Sequence, residues 1–387
     1  MTAPRKLIFL VTEDWYFWSH RLPMARAARD AGYAVAVATR VTAHGERIRA
    51  EGFALHALEW RREANGTWAS LAAIIEIYRL YRRERPVLVH HVALKPALLG
   101  GIAAWLARVP AVISMIAGTG YVGTDARVGA RLLGRFLRSV WPILLLRRNG
   151  RVIVQNEDDR RALAALRPSA AERIAVIHGS GVDLDHFTPM PEPPASPVVA
   201  VYVGRMIAIK GVADVVAAQQ KLQRDGIDLR LVLVGKPDPA NPSSFDEATL
   251  RQWSQLPGIS WQGYQEDVRA IWATAHIAVL GSRGGEGLPK TLLEAAATAR
   301  PIVATDIPGT REIARDGVNA VLVPPGDVDA LAAALQQLAS DPALRQRLAM
   351  AGRALVESGF SDAAIGAATV ALYERTIAEI GGTESRR

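Results

Sequence analysis

A chain of 387 residues is too long for one ordinary hydrophobic core, so two domains are expected. Half of it is apolar and 22% is charged, a globular composition, and the lack of cysteine excludes disulfides and thiolate metal sites. The net charge of +8 is unevenly shared: residues 1–187 hold 27 Lys and Arg against 16 Asp and Glu (+11), the remainder 19 against 22 (−3). A basic half calls for an anionic partner, whether nucleic acid, an acidic bilayer or a phosphorylated substrate.

The opening residues MTAPRKLIFLVTED run straight into a strand and do not read as a secretory signal. Strands are predicted at 7–12, 34–39, 88–92, 111–117, 151–156 and 173–178. The stretch 96–124 is long and weakly charged, but Arg108 and Pro110 divide it into a helix and a buried strand, not a membrane span. From 127 to 151, Arg127, Arg131, Arg135 and Arg138 recur at three and four residues opposite leucines, Phe136 and Trp141. Such a basic amphipathic segment suits either an anionic lipid surface or an ordinary domain helix.

TPMPEPPASP (188–197) places five prolines in ten residues and is expected to be a stiff linker. Beyond it, strands are predicted at 198–204, 229–235, 259–263, 277–282, 301–305 and 320–325. Continuous apolar runs separated by amphipathic helices mark parallel strands buried on both faces. The expected α/β architecture is therefore two doubly wound, Rossmann-like parallel-sheet domains facing a cleft, with ligands at the carboxyl ends of the strands. The boundaries predicted are 1–187, a linker at 188–197, 198–355, and a C-terminal helix at 356–387 crossing back to the first domain.

Two loops carry the chemistry. SRGGEGLPKTLLEAAA (282–297) follows a strand and opens a helix, with Glu286 before the helix and Glu294 one turn inside it. Gly284, Gly285 and Gly287 permit close backbone approach to a ligand, Pro289 suits a helix start, and the free N–H groups there seat an anion. Surface glutamates on an alanine-rich helix are the plain alternative, but glycines, proline and strand-end position outweigh it. VGRMIAIKG (203–211) likewise follows a strand and opens a helix, bringing Arg205 and Lys210 beside glycines as a candidate diphosphate clamp.

Gly204-Arg205, Lys210-Gly211, Glu286-Gly-Leu-Pro with Glu294, PIVATDIPGTREI (301–313) and LVPPGD (322–327) together resemble glycosyltransferase family 4, retaining enzymes of the GT-B fold. The resemblance implies that Arg205 and Lys210 hold a donor diphosphate, Glu286 contacts the donor sugar and Glu294 binds the ribose hydroxyls. Gly204, Gly235, Tyr264, Gly287, Leu288, Pro289, Lys290 and Thr291 would complete the donor site. EDWYFWSHRLPMA (13–25), HHVALKP (90–96), GTGYVG (118–123) and VQNEDD (154–159) are similar to capsule and O-antigen transferases that extend sugars on a polyprenyl diphosphate. On the acceptor side this points to His20, His90, His91, Lys95 and Tyr121.

Two features depart from the common pattern of the family: Trp15-Tyr16-Phe17-Trp18 replaces a paired glycine, and Gly118-Thr119-Gly120 follows the strand where a histidine is frequent. GTGYVG also satisfies a dinucleotide fingerprint, but the acid expected about 20 residues on is missing. Asp183-Leu-Asp185 precedes the linker and Asp327-Val-Asp329 reads as a helix cap, so no metal is expected. The expectation is a metal-independent hexosyl or N-acetylhexosaminyl transferase of cell-surface polysaccharide synthesis. It would need no cofactor, use a nucleoside-diphosphate sugar (UDP-linked) as donor and a lipid-linked saccharide as acceptor, and bind no nucleic acid. The basic half would sit on the anionic inner leaflet, making the protein cytoplasmic and peripheral. A sugar-nucleotide epimerase of the same fold and a non-catalytic nucleotide-sugar-binding module are the alternatives.

Overall fold

A computed structural model of the chain describes residues 4–60, 66–116, 145–194 and 196–384. Contacts divide it into two units, Met1–Ser180 with Asp362–Arg387, and Gly181–Ser361. The boundary therefore lies at Ser180, not at 187, and the final helix Asp362–Glu384 belongs to the first unit.

In the first unit, β1 (Arg5–Glu13), β2 (Tyr33–Arg40), β3 (Ala54–Ala57), β4 (Leu88–Val92), β5 (Ala111–Ile116), β6 (Gly150–Val154) and β7 (Ile174–Val176) form a parallel sheet of order β3-β2-β1-β4-β5-β6-β7. Edge strand β3 is absent from the predicted set; ALHA is short and only partly buried, so its sequence gives no continuous apolar run. The pleat sends alternate residues to opposite faces. Leu7, Phe9 and Val11 pack with Leu22, Met24, Ile365 and Leu372, while Ile8 and Leu10 pack with Ile77, Tyr81, Ala103 and Ala104.

The last helix is fixed to this sheet by polar ties as well as by packing. Glu374 accepts from both Arg5 terminal nitrogens and from Tyr33 Oη, each at 2.7 Å, and Arg151 pairs with Glu379. Between them Tyr373 Oη meets His90 Nδ1 at 2.5 Å, inside the core.

That contact corrects one expectation. His90 and His91, assigned to the acceptor side, are wholly buried in mid-sheet. They are neighbours on one strand and so face opposite ways. His90 lies against Phe9 and Tyr373. His91 meets Tyr81 Oη at 3.1 Å and Ser114 Oγ at 3.5 Å. Both are core histidines. Burial holds His90 well below the usual imidazole range, helped by the charge of Arg21, and pushes His91 down to about 3.

The Pro-rich stretch is a second correction. It is not a free linker but lies along the second unit, where Arg300 Nη2 donates to Pro191 O at 2.9 Å and Arg345 Nε to Glu192 at 2.6 Å. The GTGYVG motif, Tyr121 and residues 127–144 of the basic segment lie outside the described residues. Among the described residues no helix is long and apolar enough to cross a membrane.

In the second unit, β8 (Val198–Val203), β9 (Leu229–Val234), β10 (Ile259–Trp261), β11 (Ile277–Leu280), β12 (Ile302–Thr305) and β13 (Ala320–Val323) form a parallel sheet of order β10-β9-β8-β11-β12-β13. The strand order reverses between β8 and β11, and a doubly wound sheet opens a crevice at such a switch point.

The two buried histidines make the fold sensitive to acid. Each is neutral when folded and regains an ordinary value near 6.5 when unfolded. Stability is thus full above about pH 6.5 and is lost below it as the unfolded chain takes up protons, approaching about 1.4 kcal/mol per pH unit for each imidazole. Urea midpoints should fall between pH 7.5 and 5.5, and the fall should be shallower in His91→Asn. An unchanged pH slope in that variant would refute the assignment.

Candidate functional site

The loops after β8 and β11 meet at the switch point of the second sheet, and glycine makes the meeting possible. Gly211 has φ +65° and sits so close to the neighbouring loop that a Cβ there would lie 1.8 Å from Gly281 O. It ends the short turn Ala208–Lys210 and starts helix Val212–Arg224. Gly235, after β9, has φ +142°, and a Cβ on it would stand 1.8 Å from Gly204 O. These positions exclude any side chain.

Lys210 and Glu286 come together across this junction. Lys210 Nζ donates to Glu286 Oε1 at 2.5 Å, and Ser282 Oγ donates to the same oxygen at 2.5 Å. The Glu286 side chain is 7% exposed and that of Lys210 19%, so the pair is shielded yet open at the lysine side. Its carboxylate also raises the Tyr202 hydroxyl, which burial has already pushed up strongly. Tyr202 Oη donates to Arg205 O at 3.1 Å, steadying the first loop from beneath.

Arg205 is more exposed and donates through Nη1 to Asp238 Oδ2 at 2.9 Å. Its loop is braced by the segment after β9: Phe245 N donates to Met206 O at 2.8 Å and Ala208 N to Ser243 O at 2.9 Å. Lys236 Nζ stands 4.9 Å from the ring centre of the exposed Tyr264. Trp261 Nε1 donates to Gly235 O at 2.8 Å.

Beyond Glu286, Gly287, Leu288 and Pro289 are buried, and Pro289 caps helix Lys290–Ala297. Lys290 Nζ is 3.9 Å from Glu294 Oε1, one helical turn on, with Thr291 half-buried beside them. The end of β12 and the segment after it support the loop. Thr305 Oγ1 donates to Ser282 O at 2.5 Å, and a Cβ on Gly309 would lie 2.2 Å from Gly287 O. Two basic side chains, a buried carboxylate and a helix N-terminus thus share one end of the sheet, an arrangement suited to an anionic ligand with hydroxyl groups.

Sequence reasoning missed Asp214, Asp238 and Ser282. Asp214 Oδ1 and Oδ2 accept from Arg283 Nη2 at 2.6 Å and Nε at 2.8 Å. Their sequence signal was position alone: Asp214 and Ser282 stand four residues from Lys210 and Glu286, and Asp238 follows β9.

In the first unit, His20 ends helix Asp14–His20 beyond β1, and Lys95 lies in the first turn of helix Leu94–Ala107 beyond β4. These strands form that sheet's own switch point. His20 stacks on Tyr16 at 4.5 Å. Ala93, between β4 and its helix, holds φ +78° and ψ 166°, a conformation costly for any residue but glycine. Asp14, fully buried, accepts from Thr42, Ala43 and His44 backbone N–H groups and from Thr42 Oγ1, fixing the loop after β2. Burial raises its carboxyl, but these hydrogen bonds outweigh it and the net shift is downward. Asp327, read as a cap, accepts from Ala330 N at 2.9 Å at the start of helix Val328–Ser340.

A family model described as "Glycosyl transferases group 1" matches residues 197–341, and one described as "Glycosyl transferase 4-like" matches 6–140. The chain carries a group 1 glycosyltransferase domain and a glycosyltransferase 4-like domain. This glycosyltransferase is 21% identical to the capsular polysaccharide biosynthesis glycosyltransferase CapM of Staphylococcus aureus, over 84% of this chain and 86% of that one. It is 24% identical to the UDP-Gal:alpha-D-GlcNAc-diphosphoundecaprenol alpha-1,3-galactosyltransferase of Escherichia coli, over 71% and 72%. Its match to the alpha-D-kanosaminyltransferase of Streptomyces kanamyceticus is 31% identical but spans 45% of either chain, less than half that enzyme's length. Among solved structures, a glycosyltransferase from Rickettsia africae ESF-5 superposes with TM-score 0.77 at 16% identity, covering 97% of this chain and 99% of that one. Anabaena Alr3699/HepE, solved in complex with UDP-glucose, gives 0.76 at 17%, covering 96% and 99%. These two share the GT-B fold with this chain.

The seat of Gly309 is open to test. Gly309→Ala places a methyl group inside the Gly287 and Glu286 carbonyls, whereas Gly359→Ala meets nothing within 4 Å. Overpacking of this kind costs about 1–3 kcal/mol. The thermal midpoint should drop in the first variant and hold or rise slightly in the second; equal midpoints would show that the loop yields freely.

Proposed function

We propose that this glycosyltransferase moves a hexosyl or N-acetylhexosaminyl group, with retention, from a nucleoside-diphosphate sugar to a saccharide on a polyprenyl diphosphate. The observation that carries the reading is the Lys210–Glu286 pair, held at 2.5 Å beside a helix start at a switch point. Positive charge grows on the anomeric carbon as the diphosphate departs. Lys210, Arg205 and the N–H groups at the start of helix Lys290–Ala297 then meet the departing negative charge, where fixed donors act most strongly. Lys210 and Ser282 both donate to Oε1 of Glu286, and among the described residues its second oxygen is left for a sugar hydroxyl. The acceptor oxygen forms the new bond on the face the diphosphate leaves, and its proton passes to the leaving phosphate oxygen. Two basic side chains take the charge-neutralising role, so the reaction proceeds without a metal ion. The similarity to an enzyme named for a diphosphoundecaprenol acceptor supports the acceptor class.

The direct experiment is a panel of nucleotide sugars assayed with and without polyprenyl-diphosphate sugars, in excess chelator. Transfer with retained anomeric configuration is expected only when the lipid-linked acceptor is present. Acceptor-independent release of an epimerised nucleotide sugar, or activity that chelator abolishes and manganese restores, would overturn the reading.

The paired acids should separate in function. Glu286→Ala is expected to lower kcat at least a hundredfold with little change in nucleoside-diphosphate affinity. Glu294→Ala should instead weaken that affinity by one or two hydroxyl contacts of about 1.5–3 kcal/mol each. Calorimetry showing undiminished nucleoside-diphosphate binding to the Glu294 variant would remove it from the ribose.

A further inference from the structure

We propose that Arg283 and Asp214 form a strut that positions Glu286 for the donor sugar. The inference rests on the functional reading above and adds two positioning residues to it. Asp214 lies in the first turn of helix Val212–Arg224, four residues past Lys210, and is nearly buried. Arg283 lies in the loop after β11, three residues before Glu286. Its Nε and Nη2 grip both Asp214 oxygens, at 2.8 and 2.6 Å, and its backbone N–H donates to Ile209 O at 2.8 Å. One residue is therefore attached at three points to the segment that carries Lys210.

The chain between Arg283 and Glu286 shows why such attachment matters. Gly284 has φ +148° and Gly285 φ +72°; a Cβ on the first would meet nothing within 4 Å and one on the second only Ile209 Cδ1, at 3.5 Å. Two glycines in succession leave the direction of Glu286 undetermined by local conformation. On the far side the carbonyls of Glu286 and Gly287 abut Gly309. The near side has the two-pronged Arg283 contact, and a bidentate guanidinium–carboxylate pair fixes orientation as well as distance. With the Arg283 side chain 55% exposed, the pair adds little to global stability. Its contribution is to geometry.

The test uses the full chain and four variants: Asp214→Asn, Arg283→Met, Arg283→Lys and the double Asp214→Asn/Arg283→Met. Crystal structures are compared for the Lys210–Glu286 separation, UDP binding is read by calorimetry, and turnover is read in the donor panel. In Arg283→Met the Lys210–Glu286 contact should be lost and kcat should fall about tenfold or more. Affinity for UDP should stay within threefold. Arg283→Lys should fall between, and the double variant should be no slower than the slower single one, since both changes remove one device. A Lys210–Glu286 contact retained at its original length in Arg283→Met overturns the strut. So does an unchanged kcat in Arg283→Met and Asp214→Asn when Glu286→Ala is inactive. An active Glu286→Ala would instead overturn the functional reading on which the strut depends.

Discussion

A lysine and a glutamate 76 positions apart meet where the strand order of the second sheet reverses, and the local architecture serves that meeting. Charges taken from water are tolerated only when paired and further hydrogen-bonded. Here the carboxylate has both the Lys210 ammonium and the Ser282 hydroxyl. Backbones must also come within reach, which is why Gly211 faces Gly281 and Gly309 faces Gly287 with no room for a methyl group. The same constraint explains the bracing at 205–208 and at 305–309: loops crowded with glycine have little stiffness of their own, so neighbouring strand ends supply it.

The first unit solves a different problem. Its last covering helix comes from the other end of the sequence and must recognise the right sheet face. Apolar packing of Ile365 and Leu372 supplies attraction, while Glu374, Glu379 and Tyr373 supply register through Arg5, Tyr33, Arg151 and His90. A histidine buried in this way trades polarity for specificity: its hydroxyl partner must arrive at one place along the helix.

The parallel strands were legible because burial on both faces writes itself as unbroken apolar runs; only β3, a partly exposed edge, escaped. Glycines and a proline marked the loops after β8 and β11 in the sequence, and Lys210 and Glu286 of those two loops do meet at one end of the sheet. His90 and His91 misled for a physical reason. A pair of histidines at a strand end looks available for chemistry, yet the tyrosine that meets His90 lies 283 residues away and no local pattern discloses it. The Pro-rich stretch misled similarly, since its anchors, Arg300 and Arg345, are more than a hundred residues downstream. Ion pairs between loops, such as Asp214 with Arg283, carry no periodicity and became visible only once the loops were brought together.

The division of the chain has a consequence for its biogenesis. The second unit is one continuous segment, Gly181–Ser361, whereas the first is interrupted by it and ends with Asp362–Arg387. During synthesis, domains generally fold as they emerge. The unit that emerges first nevertheless lacks the helix bearing Ile365, Leu372 and Tyr373 until the whole second unit has been made, so the part of its sheet that this helix covers stays bare meanwhile. The order of completion is then the reverse of the order of translation, and the nascent first unit is the stage at which a chaperone would have apolar surface to hold.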